Sequence, residues 1–381
     1  MFEPQSRLPD VGTTIFTVIT QRARELGAIN VSQGFPDFEP PQLLRDFLRR
    51  AADADVHQYA PMGGIDSLRE QIGIATRELG FAVDTASEVT VTLGATEALF
   101  SSIQALVHPG DEVILFDPSY DAYGPAVRLC AARPVHIPLQ APAFSIDWQR
   151  VADAITPRTR MIILNSPHNP TGAMLSAADL DQLARCVRDT RIVVLSDEVY
   201  ANMTYDGGRH HSMQAHPELR ERSISVFSFG KVLHATGWRV GYALAAPSLT
   251  RELRRVHQFN TFSIAHPLQW AIAEFLRAAP NHRAGLSAFY QARRNFLIGL
   301  LRDSRFAITP SPGTFFQLVD YSAISAEADT IFVDRVLQEH GVATIPLSPF
   351  CAEPPDYRYV RLCFAKHETT LQQAAERLCR I

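Results

Sequence analysis

Lysine is nearly missing from this chain of 381 residues: Lys231 and Lys366 are the only two, and the other 34 of its 36 basic residues are arginine. Composition alone accounts for arginine's dominance, but a lysine that persists offers what arginine cannot, an amine able to lose its proton on burial and attack a carbonyl. Cysteine is also sparse. Cys130, Cys186, Cys351, Cys363 and Cys379 are dispersed, odd in number and never spaced as C-x-x-C. That excludes a disulfide framework and a zinc knuckle, leaves no metal site to expect, and fits a reducing compartment. No apolar run approaches the ~20 residues of a membrane span. The start carries acidic Glu3 and polar residues where a secretory leader needs a basic start and an apolar run. These absences predict a soluble, cytoplasmic protein. The net charge is -4 with no block of like charge, so neither nucleic acid nor a membrane surface is expected as a partner.

What is present describes an ordinary globular protein. Hydrophobic residues make up 46% and charged residues 20%, too apolar a balance for a disordered chain. Short β-branched runs alternate with longer amphipathic ones through the middle, the pattern of βαβ units around a mostly parallel sheet. The runs Val89–Leu93, Glu112–Phe116, Arg133–Ile137, Met161–Asn165, Ile192–Ser196, Ile224–Ser228 and Val240–Ala245 predict seven strands. Helical patterns cover Glu97–Leu106, Ala122–Ala131, Ala177–Asp189 and Pro247–Gln258. The expected architecture is an α/β domain over residues 41–280, a mostly parallel seven-stranded sheet flanked by helices. A smaller α+β domain is built from both chain ends: an irregular Pro- and Gly-rich arm over 1–40 and a C-terminal part over 281–381.

In an open parallel sheet the strand ends feed one crevice, so polar residues there are candidate site residues. The first strand ends in Gly94-Ala95-Thr96-Glu97, where free N–H groups and a helix dipole suit a phosphate, although the same string makes an ordinary tight turn. The second is followed by Tyr120 and Tyr123, rings that stack on a planar ligand or pack the loop. The fourth runs into Asn165-Ser166-Pro167-His168-Asn169-Pro170-Thr171-Gly172, whose prolines make a rigid carrier for an amide donor. The fifth ends in Asp197-Glu198-Val199-Tyr200. A carboxylate there is costly unless it pairs with a cation or a protonated ring nitrogen, or else caps the next helix. The sixth delivers Ser228 and Lys231, with Arg239 placed to clamp a phosphate. Arg361 lies on the alternating run Tyr359–Phe364, which in isolation reads as a surface strand, and Lys366 reads as a surface charge. An imine-forming lysine, a partner for a pyridinium nitrogen, donors for a phenolate oxygen, a stacking ring and a phosphate cradle together meet the needs of pyridoxal 5'-phosphate.

Taken in order, Gly94-Ala95-Thr96, Asn169-Pro170-Thr171-Gly172, Ser196-Asp197-Glu198-Val199-Tyr200, Ser228-Phe229-Gly230-Lys231, Thr236-Gly237-Trp238-Arg239-Val240-Gly241 and Tyr359-Val360-Arg361-Leu362-Cys363-Phe364 closely resemble the class I aminotransferases. Ser32-Gln33-Gly34-Phe35-Pro36-Asp37-Phe38, His57-Gln58-Tyr59 and Phe116-Asp117-Pro118-Ser119-Tyr120 look most like their methionine and kynurenine aminotransferase branch. The resemblance implies that Lys231 forms the internal aldimine with pyridoxal phosphate and then shuttles a proton. It implies that Asp197 pairs with the ring nitrogen, Tyr200 and Asn169 bind the ring oxygen, and Tyr120 stacks on the ring. Ala95, Thr96, Ser228 and Arg239 would bind the phosphate, with Tyr59 reaching it from a second subunit of a homodimer. Arg361 would pair with the substrate α-carboxylate, helped by Asn169 and the backbone of Gly34.

The activity implied is ping-pong transfer of an amino group from a neutral amino acid (methionine, aromatic or glutamine-like) to a 2-oxo acid. No second arginine stands in a motif context, which disfavours aspartate and glutamate as donors. Ala95 stands where relatives often have glycine, a small departure if only backbone N–H groups are used. Phe35, Phe38, Tyr123, Phe262 and Phe315 are candidates for an apolar pocket wall, and equally for core packing. The rivals are a carbon–sulfur β-lyase, which the same residues would serve, and a non-catalytic ligand-sensing domain, against which the retained Lys231, Asp197 and Arg361 count.

Overall fold

A computed structural model describes residues 5–381; Glu3, on which the leader argument leans, lies outside them. Seven strands form the main sheet: β1 Val89–Thr92, β2 Glu112–Asp117, β3 Arg133–Pro138, β4 Thr159–Asn165, β5 Val193–Asp197, β6 Ser223–Ser228 and β7 Gly241–Ala245. Their spatial order is β1-β7-β6-β5-β4-β2-β3, and β7 runs antiparallel to both its neighbours while the other pairs are parallel.

Strand side chains alternate between two cores. Ile114, Phe116, Ile162, Leu164 and Val194 pack into one, while Val113, Leu115, Met161, Ile163, Leu195, Ile224 and Val226 pack into the other. Both faces are therefore dry, which is why these runs are apolar almost throughout rather than alternating with polar residues. The helix Gly94–Leu106 covers one face and Ala177–Val187 the other. The latter starts in a capping box between Ser176 and Asp179.

Strand register sets the site. Asn165 pairs with Asp197, Asp197 with Val226, and Ser228 with Gly241, so the ends of β4, β5 and β6 meet at one edge.

A separate small sheet joins Ile345–Pro346, Tyr359–Cys363 and Phe316–Asp320 in antiparallel order. Ile29–Asn30 pairs in parallel with Val342–Ala343, and the Val31 carbonyl accepts from the Cys363 N–H. The early segment departs from the irregular reading. Ile15–Glu25 is a helix capped by Thr14, and its buried Ile19 and Ala23, four residues apart, form a short stripe that the surrounding Pro and Gly obscure. Among the described residues no helix is long and apolar enough to cross a membrane.

Candidate active site

At the shared edge of β4, β5 and β6 lies a cleft partly open to solvent, lined by Ala95, Thr96, Leu99, Tyr120, Asn165, Asn169, Asp197, Val199, Tyr200, Ser228, Lys231 and Arg239. Nine of the residues singled out from strand ends converge here: Ala95, Thr96, Tyr120, Asn169, Asp197, Tyr200, Ser228, Lys231 and Arg239.

Lys231 sits on the short helix Phe229–Val232 directly after β6. Its Nζ donates to the Gly34 carbonyl at 2.9 Å and lies 5.7 Å from the Tyr200 ring and 5.3 Å from that of Phe315. Loss of water around it draws the ammonium down to about 8, within reach of a neutral amine near physiological pH. Asp197 is pushed the other way by burial, up to about 6, although it accepts from the Tyr123 hydroxyl at 2.8 Å and the Val199 N–H at 3.3 Å. A buried carboxylate so perturbed is completed by a cation facing it.

The loop after β4 is tied down at both ends. Asn165 donates to the Asp197 carbonyl at 2.8 Å and accepts from the Asn169 N–H at 2.7 Å. The Asn169 side-chain oxygen accepts from Arg361 at 2.8 Å, which leaves its NH₂ group free to donate into the cleft.

The other end of the cleft is an anion cradle. The helix Gly94–Leu106 opens on Gly94 at φ +69, and Arg239, itself left-handed at φ +52, donates to the Thr96 hydroxyl at 3.3 Å and the Thr236 carbonyl at 3.2 Å. A Cβ on Gly94 would stand 2.8 Å from the Arg239 guanidinium, and one on Gly241 would stand 2.6 Å from the Phe227 carbonyl and 2.8 Å from the Ala95 nitrogen. Glycine is required at both places for the arginine and the helix start to come together.

Arg361 corrects the surface-strand reading. Its guanidinium is fully buried, donates to Asn169 and, at 2.7 Å, to the Ser32 carbonyl, and lies 3.9 Å from the Phe316 ring centroid. Burial lowers it to about 10, so it remains a cation, and among the described residues no carboxylate forms an ion pair with it.

Lys366 corrects the surface-charge reading. It is buried, donates to the Phe35 carbonyl at 2.8 Å and lies over the Phe35 ring. The two lysines of the chain thus hold successive carbonyls of one segment, Gly34 and Phe35.

Other expected residues stand apart. Tyr59 is 84% exposed and packs edge-on against Phe262, outside the cleft of its own chain. Phe38 packs on His234 and Phe289, and Phe35 projects half-exposed. Of the five proposed aromatic wall residues, Phe315 lies beside Lys231 and Tyr200, Tyr123 donates to Asp197, and Phe262 meets only the outlying Tyr59 among the expected site residues. Tyr123 as the Asp197 partner, and Asn165 as the brace of the loop, were missed by sequence reasoning. Both stand inside strings already singled out, yet nothing local indicates a bond spanning 74 residues.

The family described as aminotransferase class I and II matches residues 27–378. The chain is 49% identical over 376 residues to the methionine aminotransferase of Escherichia coli K12, covering 98% of this chain and 97% of that one. It is 32% identical over 408 residues to kynurenine–oxoglutarate transaminase 1 of Mus musculus, covering 98% and 96%. The crystal structure of Escherichia coli YbdL, which identified a methionine aminotransferase function, superposes with a TM-score of 0.98 at 48% identity and full coverage of both chains. With matches of this length and a cleft of this construction, the chain belongs to the class I and II aminotransferases, enzymes that act on amino acids and oxo acids.

Proposed function

We propose that this aminotransferase uses pyridoxal 5'-phosphate, carried on Lys231, to take the amino group of methionine and similar neutral amino acids and hand it to a 2-oxo acid in ping-pong fashion. The observation that carries the reading is a single cleft holding a lysine drawn down to about 8, a buried carboxylate pushed up to about 6 and an arginine-backed helix N-terminus. That donor set fits the cofactor. When bound, pyridoxal phosphate supplies a ring that accepts the electron pair left when the substrate α-carbon loses its proton.

The protein's part is attachment, orientation and proton handling. Asp197, steadied by Tyr123, keeps the ring nitrogen protonated, which also returns a positive partner to a carboxylate that burial disfavours. The free NH₂ of Asn169 and the hydroxyl of Tyr200 would hold the ring oxygen, and Tyr120 would supply the aromatic face beside the ring. The N–H groups of Ala95 and Thr96, with Ser228 and Arg239, hold the phosphate. Arg361, a buried cation without a carboxylate partner among the described residues, receives the substrate carboxylate, assisted by Asn169 and the Gly34 backbone. The Lys231 amine would move the proton at the substrate α-carbon.

Methionine is the favoured donor because the 49% identical relative is a methionine aminotransferase and because, among the described residues, the two arginines placed at the site, Arg239 at the helix start and Arg361 beside Asn169, are taken up by phosphate and α-carboxylate, leaving none for a side-chain carboxylate. A homodimer completes the site: Tyr59, Phe259 at 87% exposure, Phe262 and Leu93 leave apolar surface in water, and Tyr59 would cross to the neighbour's phosphate. The five cysteines are all free, in keeping with a cytoplasmic location.

Initial rates with methionine at several fixed concentrations of a 2-oxo acid test the reading. Parallel double-reciprocal lines, with aspartate far slower than methionine, are expected. Intersecting lines, or aspartate as the faster donor, would overturn it. Release of pyruvate and thiol from a cysteine S-conjugate without an acceptor would instead identify a β-lyase.

A further inference from the structure

One buried charged pair lies just behind the phosphate cradle. His257, on the helix Pro247–Asn260, is completely buried. Its Nδ1 is 3.0 Å from a carboxylate oxygen of Glu97, and its Nε2 is 3.0 Å from the Met62 carbonyl. Carbonyl and carboxylate oxygens only accept, so an imidazole facing one with each nitrogen carries a proton on both and is the imidazolium. Shifting the shared proton onto Glu97 would leave the pair with the same net charge of zero.

Glu97 stands in the first turn of the helix whose start forms the cradle, and its other oxygen accepts from the Leu93 N–H at 3.2 Å. The Ser101 hydroxyl donates at 2.5 Å to the same Glu97 oxygen that faces His257. Bare, this carboxylate would oppose any phosphate at the same helix end, where the dipole and free N–H groups favour one anion.

We propose that His257 is a positioning residue for the cofactor phosphate: by neutralising Glu97 it reserves the helix start for the phosphate alone. The proposal rests on the reading that the Ala95–Thr96 turn binds that group.

Equilibrium dialysis of the purified protein against pyridoxal phosphate and against pyridoxal, which lacks the phosphate, tests it. His257→Phe should weaken pyridoxal phosphate binding about tenfold, the size of a favourable charge at a helix end, and leave pyridoxal binding nearly unchanged. Adding Glu97→Gln to that variant should restore most of the loss. An equal loss for both ligands, no loss, or no recovery in the double variant would overturn the proposal. If His257→Phe does not fold, His257→Gln, which keeps a donor but no charge, should show the same selective loss, and its absence there counts equally against the idea. Wild-type protein that binds pyridoxal as tightly as pyridoxal phosphate would sink the underlying phosphate reading instead.

Discussion

Lys231 and Asp197 are displaced in opposite directions by one cause, since burial penalises the charged form of each. For Asp197 the sign can be followed into stability. Its folded value of about 6 lies above the ordinary 3.8, so the folded state holds the proton more tightly. Its contribution is complete below about pH 4 and is lost as pH rises through 6, leaving a cost at neutral pH of roughly 2–3 kcal/mol. Asp197→Asn should therefore make the cofactor-free protein more stable at pH 7, by an amount that vanishes near pH 4, while transamination falls more than about a hundredfold. Urea melts at the two pH values and a rate assay check both halves. Tyr123→Phe removes a hydrogen bond to the charged carboxylate and should lower kcat about tenfold with little change in fold, as judged by circular dichroism. An unchanged kcat would remove Tyr123 from the account. These partnerships mark the limit of reading residues from sequence. Lys231, Asp197 and Arg239 were visible because strand ends place them locally, whereas Tyr123 meets Asp197 only through the packing of separate strand ends.

Elements were legible where local pattern and burial agree. All seven strands of the main sheet were expected, with ends displaced by a residue or two, because dry β-branched runs between amphipathic stretches have few other solutions. The helix Ile15–Glu25 was not expected, because its buried stripe is short and sits among turn-forming residues. The segment 32–38 was legible as a string but not as a structure. Arg361 holds its Ser32 carbonyl, Lys231 that of Gly34 and Lys366 that of Phe35, while Asp37 accepts from the His367 N–H and the Thr370 hydroxyl. Chain separations above 190 residues carry these bonds, so no local pattern announces them. Lys366→Met should loosen the segment beside the Arg361 site, raising the KM for methionine about tenfold with a smaller effect on kcat, and Lys366→Arg should recover part of it. Equal KM values in Lys366→Met and wild type would contradict this role.

At the scale of the whole molecule, the cleft is bounded by parts of the chain that meet only in the folded state: the main sheet, the small-sheet strand bearing Arg361, and the segment around Gly34. Tyr59, the Phe262 ring packed on it, and Phe259 face outward instead, as the proposed second copy requires of surfaces that it covers. Phe259→Asp places a charge in that contact and should shift sedimentation from dimer toward monomer, with weaker pyridoxal phosphate retention in parallel. A variant that remained dimeric and kept its cofactor would separate Phe259 from the interface.

One half-reaction isolates the chemistry proposed for Lys231. Pyridoxal-phosphate-loaded protein is mixed with methionine and no acceptor, and the released oxo acid and the form of the cofactor are quantified. One oxo acid per loaded site and conversion of the bound cofactor to pyridoxamine phosphate are expected, with neither change in Lys231→Ala. No conversion with methionine, or a Lys231→Ala variant that still turns over, would contradict that chemistry.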